Sequence, residues 1–345
     1  MKQLVKKVYR ITSRVSRLFL LKILMVIGKH LRSELIIVYD SQNTSDGFGA
    51  QLHRIVSLMH TATLLGFSIR KPKISSITIH PLDPIRSIDE MGHFLEISNQ
   101  RLFGSFQYFD KIINTQNSKL VEISSLNLKI CLRFMILSKI YRKSYVLFVK
   151  EAHAIADLAV DSYQNTIQIY FAEFIGEFRK AKKPDAITVH YRQGVGGFAI
   201  YPGQKIPRQL PLEHFKMAIL SLSNSDLKDI RKLRIFTDSP RSSVEFIPPR
   251  NQLSLWEGTP GFDGKKVTYS GSDVDAFFGK LSESLNLELE VIRSADPLQM
   301  IIEMALTPIL ITSRSSLSYI GGLFNHSGIV YSAPDFWHFK PSKWV

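Results

Sequence analysis

The strongest constraint on the fold lies in the second half of the chain, where short apolar runs of strand character alternate with segments of helical spacing. After KKPD come AITVHYR (strand), LPLEHFKMAILSL (helix), LRIFTDSP (a strand with its turn) and DAFFGKLSESL (helix). LELEVI (strand), PLQMIIEMAL (helix), PILITSR (strand) and SLSYIGGLFN (helix) follow. Strands separated by helices at this spacing cross over rather than turn back as hairpins, so the expected fold is α/β with a parallel, doubly wound sheet.

The same grammar opens the body of the chain. LIIVY at residues 35–39 reads as a buried strand, and residues 50–66 read as a helix with Leu52, Ile55, Val56, Met59, Thr63 and Leu64 on its apolar positions. Between them stands DGFGAQLH, residues 46–53, with glycines one residue apart. Gly47 and Gly49 are expected to allow positive φ and the approach of another molecule, beside N–H groups that attract anions at the helix start. Residues 74–80 and 110–114 are further expected strands. The stretch 125–180 reads as helical, its Lys129, Arg133, Lys139, Arg142 and Lys143 forming a solvated face.

At 345 residues and 45% hydrophobic content the chain exceeds what one α/β core usually holds, so two domains are expected. FRKAKKPD places the boundary near 180–185, giving a leader at 1–33, an N-terminal α/β domain at 34–183 and a C-terminal Rossmann-like domain at 184–345. The net charge of +14 is concentrated in the leader, which carries nine Lys or Arg and no acid. Leu4, Val8, Ile11, Val15 and Leu18 recur there at helical spacing, and LFLLKILMVIG follows, too short to span a bilayer. Such a helix can lie on an anionic membrane surface or pack on the protein itself. Lys22 interrupts it as a signal peptide, and with only Tyr9 and Phe19 as stacking groups it is no nucleic-acid arm. Cys131 is the only cysteine, which excludes an internal disulfide and suits a reducing, cytoplasmic compartment, with peripheral contact to the inner face of a membrane.

Ligands of open parallel sheets bind beyond the carboxyl ends of strands. HYRQG supplies His190 and Arg192 on one face of a strand end, with Gly194 opening the turn; a guanidinium there can hold a phosphate through paired hydrogen bonds. TSRSSLSYIGG ends a strand in hydroxyls and starts a helix at Ser315 or Ser316, which joins a capping oxygen to free N–H groups. IFTDSP sets Asp238 at a third strand end. SDVDAF, with Asp273 and Asp275, has the spacing of a metal-binding acidic pair but reads better as a helix start. His53 and His60, seven apart, are expected to pack rather than share a metal, and no Walker loop, HExxH pair or GxSxG elbow is present.

Taken in order, GFGAQLHR, HYRQG, IFTDSP and SSLSY resemble the GDP-fucose-dependent glycosyltransferases. The likeness is to the α-1,6-fucosyltransferases of nodulation-factor and N-glycan core type, with the last motif similar to the α-1,2 enzymes. The likeness runs over roughly residues 35–330. It implies a GT-B-like pair of Rossmann domains facing a cleft, inversion at the sugar, and no metal or other cofactor. The implied partners are a nucleotide-sugar donor and a glycan or lipid-linked acceptor. Carried over, Arg192 would bind the donor β-phosphate, with His190 and Asp296 near the base. Ser315, Ser316 and Ser318 would stand at the phosphates, and Gly47, Phe48, Gly49 and Gln51 would line the cleft. Two departures stand out: Gln193 replaces a second Arg, and GVGGFAIYPG lacks the acid where those enzymes place a proposed base. Asp46 and His53 are the remaining candidates to take the acceptor proton. A different donor, or binding without turnover, is the alternative reading.

Overall fold

The structure, a computed structural model, describes residues 15–28, 35–42, 46–77, 88–103, 118–181, 185–193, 209–239, 241, 244–247, 253, 257, 262–269, 273–293, 295–336 and 338–345. The expected strand at 110–114, Gly194 with the GVGGFAIYPG stretch it begins, and much of the leader lie outside the described residues.

Two parallel sheets carry the chain. The first contains β1 (Leu35–Tyr39), β2 (Ser68–Ile69), β3 (Ser118–Ser125) and β4 (Ser144–Glu151) in the order β2-β1-β4-β3. Its helices are α1 (residues 15–28), α2 (Phe48–Leu65), α3 (Ile88–Phe103), α4 (Leu128–Tyr141), α5 (His153–Ala156), α6 (Val160–Tyr170) and α7 (Ala172–Ala181). The second sheet contains β5 (Ala186–Tyr191), β6 (Lys232–Thr237), β9 (Glu288–Ile292), β10 (Ile309–Ile311) and β11 (Ile329–Tyr331) in the order β11-β10-β5-β6-β9. Between β6 and β9 in sequence, β7 (Val244–Phe246) and β8 (Val267–Tyr269) form an antiparallel ribbon. Helices α8 (Leu212–Leu220), α9 (Asn224–Leu227), α10 (Val274–Ser284), α11 (Pro297–Leu306) and α12 (Ser316–Phe324) complete this half.

The expected α/β alternation holds in the second half, and the first half corrects two expectations. Residues 125–180 are not all helical, because SYVLFVKE is the strand β4, paired in parallel with β1 from Leu35↔Tyr145 to Tyr39↔Val149. A run of β-branched and aromatic residues buried between two neighbours has no alternation to mark it as a strand. Residues 74–77 form no strand; the pairing beside β1 is the two-residue β2.

Packing binds the two halves together. α2 buries nearly its whole surface, and each of Leu52, Ile55 and Val56, fully enclosed, contributes about 1.5–3 kcal/mol. The hydrophobic cluster around α2 continues without a break into Ile301 and Met304 of α11 and Ile320 and Leu323 of α12. A second cluster, with Ile187, Val189, Phe215, Leu233, Ile235 and Phe278, belongs to the second sheet alone. The C-terminal segment then returns to the first half, where Ser342 N donates to Asp161 Oδ1 at 2.7 Å, and its end lies back along β11, where Val345 N donates to Val330 O at 2.9 Å. α1 is bound on one side only. Leu21 and Leu24 are buried, whereas Val15, Phe19 and Val26 are 61%, 67% and 57% exposed. Among the described residues no helix is long and apolar enough to cross a membrane.

Candidate functional site

In the second sheet the chain runs from β5 outward through β6 to β9 on one side, then returns to place β10 and β11 on the other. The order therefore reverses between β5 and β10, and the crevice at their carboxyl ends is where an open sheet accepts a ligand. His190, on β5, lies there with Nδ1 2.7 Å from Ser313 Oγ beyond β10. Gln193 N donates to Asp238 Oδ1 at 2.6 Å, tying the end of β5 to the end of β6. Burial brings the His190 ring down to about 4; the Arg192 charge adds to this effect and the Asp238 carboxylate opposes it. The ring is thus neutral at pH 7, with a guanidinium and a carboxylate both within electrostatic reach.

The hydroxyls after β10 divide the work. Ser315 is the N-cap of α12 and accepts from Leu317 N at 3.3 Å, as helix-start chemistry predicts. Ser318 is fully buried and donates to the carbonyls of Ser313 and Ser315, so it braces the turn from within. Ser316 is half-buried, the most open of the three. Arg314, which the sequence reading passed over, is buried beside them; its Nε donates to Pro334 O at 2.9 Å and Asp335 lies 3.7 Å from its guanidinium. Asp296 caps α11 by accepting from Leu298 N and Gln299 N. Asp273 caps α10, and Asp275 pairs with Arg293 at 2.7 Å, so the SDVDAF acids form a helix start.

The glycines after β1 serve a different purpose from the expected one. Gly47 is extended, with φ −64°, and Gly49 lies inside α2, so neither uses the left-handed region. A Cβ on Gly49 would stand 2.6 Å from Leu317 Cα and 2.8 Å from Leu317 N. What approaches the glycine is the first turn of α12, and the starts of the two helices meet there backbone to backbone. Asp46 accepts from Gly47 N at 2.9 Å and pairs with Arg54 at 2.9 Å. Gln51 is wholly buried, its amide donating to Asp46 O and Ser76 O while Tyr39 Oη donates to its Oε1. Phe48 is buried edge-on against Phe94.

His53 is 1% exposed, and its neighbours are other rings. It stacks on His153 with centroids 4.1 Å apart, and His338 and Tyr319 meet it edge-on at 4.2 and 5.0 Å. Burial, then the charges of His153, His338 and Arg54, hold it well below the usual imidazole range. One nitrogen from each of the three histidines lies within 4.8 Å of the other two. His60 stands apart, bonded to Thr166 at 3.0 Å and lowered by burial to about 3. As found, Asp46 is engaged by Arg54 and His53 by rings. His153 and His338 lie far from His53 in sequence, and no local pattern announces them.

A cavity of about 300 Å³ is bounded by Ser313, Tyr319, Ala333, Asp335 and His338, between the end of β10 and the C-terminal segment. Another of about 1230 Å³ lies in the first half, against β1, β3, β4 and α4, lined by Asp40, Glu122, Arg133 and Lys143 among others. Of these, the smaller adjoins the His190–Ser313 crevice through Ser313.

No family model and no curated protein matches the chain. Among solved structures it is similar to POFUT1 in complex with GDP-fucose at 9% identity, over 89% of this chain and 99% of that one, with a TM-score of 0.46. It is similar to Arabidopsis thaliana FUT1 with GDP at 10% identity, over 87% and 70%, with a TM-score of 0.38. It is also similar to the E. coli heptosyltransferase WaaC with ADP at 11% identity, over 87% and 88%, with a TM-score of 0.32. Likeness this slight assigns no activity to the chain.

Proposed function

We propose that the protein is a glycosyltransferase that takes a nucleoside-diphosphate sugar, GDP-fucose first among donors, and passes the sugar to a cell-surface or lipid-linked glycan. The observation that carries this reading is the His190–Ser313 contact at the switch point of the second sheet. Arg192 lies two residues on in the chain, and Ser313 stands two residues before Ser315, the N-cap of α12. A neutral ring, a guanidinium and the positive end of the α12 helix together favour a diphosphate over a bare sugar. GDP-fucose is placed first because the four motifs resemble those of GDP-fucose-dependent enzymes; no residue of the chain reads guanine or fucose specifically.

In the proposed reaction the acceptor hydroxyl attacks the anomeric carbon from the face opposite the diphosphate, and the carbon–oxygen bond to the β-phosphate breaks. The configuration inverts. Arg192 and the α12 start take up the charge that develops on the leaving diphosphate, so the barrier falls without a metal at the phosphates. With Asp46 paired to Arg54 and His53 enclosed, a dissociative transition state, in which the departing phosphate accepts the proton, fits the site best. The acceptor is assigned to the first half, whose larger cavity faces β1 and β4. Binding without turnover is the second reading, favoured by the same engagement of Asp46 and His53.

Thermal unfolding against a panel of nucleotide sugars tests the proposal, because a ligand of the folded state raises the melting temperature. GDP-fucose should stabilise the wild type and fail to stabilise Arg192→Ala. If no nucleotide sugar shifts the transition, or if Arg192→Ala transfers sugar at the wild-type rate, the assignment is lost. Donor consumption separates the enzyme from the binding protein.

A further inference from the structure

We propose that His53, His153 and His338 form a binding site for a divalent transition metal of zinc type, a structural clamp that ties α2, α5 and the C-terminal segment together. The site shares no residue with the phosphate-binding crevice, which it faces across the cavity that His338 and Ser313 both line.

The argument begins with nitrogens that lack a use. His53 Nε2 and His153 Nδ1 are both buried without a hydrogen-bond partner, although His53 lies among rings that could have been apolar. Buried polar atoms are paired in nearly every native protein, so two orphans in adjoining rings point to a missing partner. Each of the three histidines brings one nitrogen within 4.8 Å of the other two, a triangle one cation can reach from its centre with small ring rotations. Donor chemistry narrows the ion. Three imidazoles with no thiolate among them suit zinc, copper or nickel, whereas calcium and magnesium need oxygen.

The surroundings match a metal site as well. Histidine ligands commonly turn their second nitrogen to a carboxylate, which orients the ring. Here Asp157 lies 3.4 Å from His338 Nδ1, and Glu151 lies 3.7 Å from His153 Nε2. Among the described residues Arg54 is the arginine or lysine that reaches His53 and His153 electrostatically, and it is itself held by Asp46 at 2.9 Å and Glu151 at 3.8 Å. Three protein nitrogens leave a coordination place for water or a small anion.

The clamp's position gives it a purpose. His53 is on the helix that meets α12 at Gly49, His153 follows the end of β4, and His338 belongs to the segment returning from β11. Tyr319 of α12 lies against both His53 and His338, with centroids 5.0 and 5.3 Å away. A metal there would fix the C-terminal segment to the first half and steady the helix whose start faces the donor.

The test uses the full chain, stripped with a chelator and titrated with zinc by calorimetry and with cobalt by visible absorption. We expect one zinc per chain with a dissociation constant below about 1 µM, and affinity at least about 100-fold weaker in His338→Gln and His153→Gln. Metal-free His338→Gln should melt where the metal-free wild type does, while added zinc should raise the melting point of the wild type alone. Should either variant fail to fold, the cobalt spectrum of the wild type decides, because four-coordinate cobalt bound by imidazole absorbs intensely and free aqueous cobalt does not. No stoichiometric metal in the wild type, or equal affinity in the variants, overturns the proposal. Arg192→Ala should keep its zinc while losing its donor, so the clamp and the transferase reading stand or fall separately.

Discussion

Gly49 carries more of the architecture than any neighbouring residue, because the side of it that lacks a side chain is filled by the backbone of Leu317. Alanine normally gains about 1 kcal/mol over glycine in a helix interior. At position 49 the added methyl meets backbone that cannot yield, and Gly49→Ala should cost about 1–3 kcal/mol in urea unfolding. Gly92, exposed in α3 with nothing within 4 Å of its would-be Cβ, is the control; Gly92→Ala should gain about 0.5–1 kcal/mol. His190 yields a prediction of another kind. Its pKa of about 4 in the folded chain lies below the ordinary value of 6.5, so on acidification the unfolded chain takes the proton first. The resulting stability is complete above pH 6.5, is lost as the pH falls towards 4, and amounts to a few kcal/mol at most, roughly 1.4 per unit. Denaturation midpoints at neutral and acidic pH should show the loss, and His190→Gln should reduce the acid slope. That His190 and Arg192 stand at a strand end and Ser315 at a helix start was legible, because strand ends can be found from apolar runs; their role towards a donor is the proposal made above. His153 and His338 were not, because what unites them with His53 is the path of the whole chain.

At the scale of elements, α12 separates a residue that builds the helix from one free to serve a ligand. Ser315 caps it, so Ser315→Ala should lower stability by about 1 kcal/mol whether or not donor is present. Ser316, half-buried and outside the cap, should lose no more than a few tenths of a kcal/mol as alanine while weakening donor binding, measurable by the same melting shifts. In the second half the alternating strands and helices from β5 to α12 were readable from their apolar runs, whereas the β7–β8 ribbon, the short α9 and the last strand β11 were not, because each is only three or four residues long. β4 was hidden because SYVLFVKE continues the apolar density of α4, and its pairing with β1 on one side and β3 on the other shows that it is extended. The glycine turn was legible in position but not in purpose: spacing alone cannot tell whether a bare backbone faces a ligand or another helix.

At the scale of the molecule, α1 joins the two readings of the leader. Leu21 and Leu24 pack on the body, and Val15, Phe19 and Val26 form an exposed apolar stripe near the exposed Arg17 and Lys22. We expect Phe19→Glu with Val26→Glu to abolish sedimentation with anionic phospholipid vesicles while leaving the melting temperature within a degree or two of the wild type, because neither side chain supports the core. Binding unchanged by the pair would remove the membrane from the account of this helix.

The close meeting of α2 and α12 sets the terms on which the two sheets can move. Two rods pressed together at a bare spot can swivel about it, yet they cannot be drawn apart without opening a void. The apolar cluster that runs unbroken from α2 into α11 and α12 adds to this hold, so the two sheets are joined on the side where residues 49 and 317 meet. The crevice proposed for the donor lies on that side, so a bound diphosphate would sit where the two halves are least able to part.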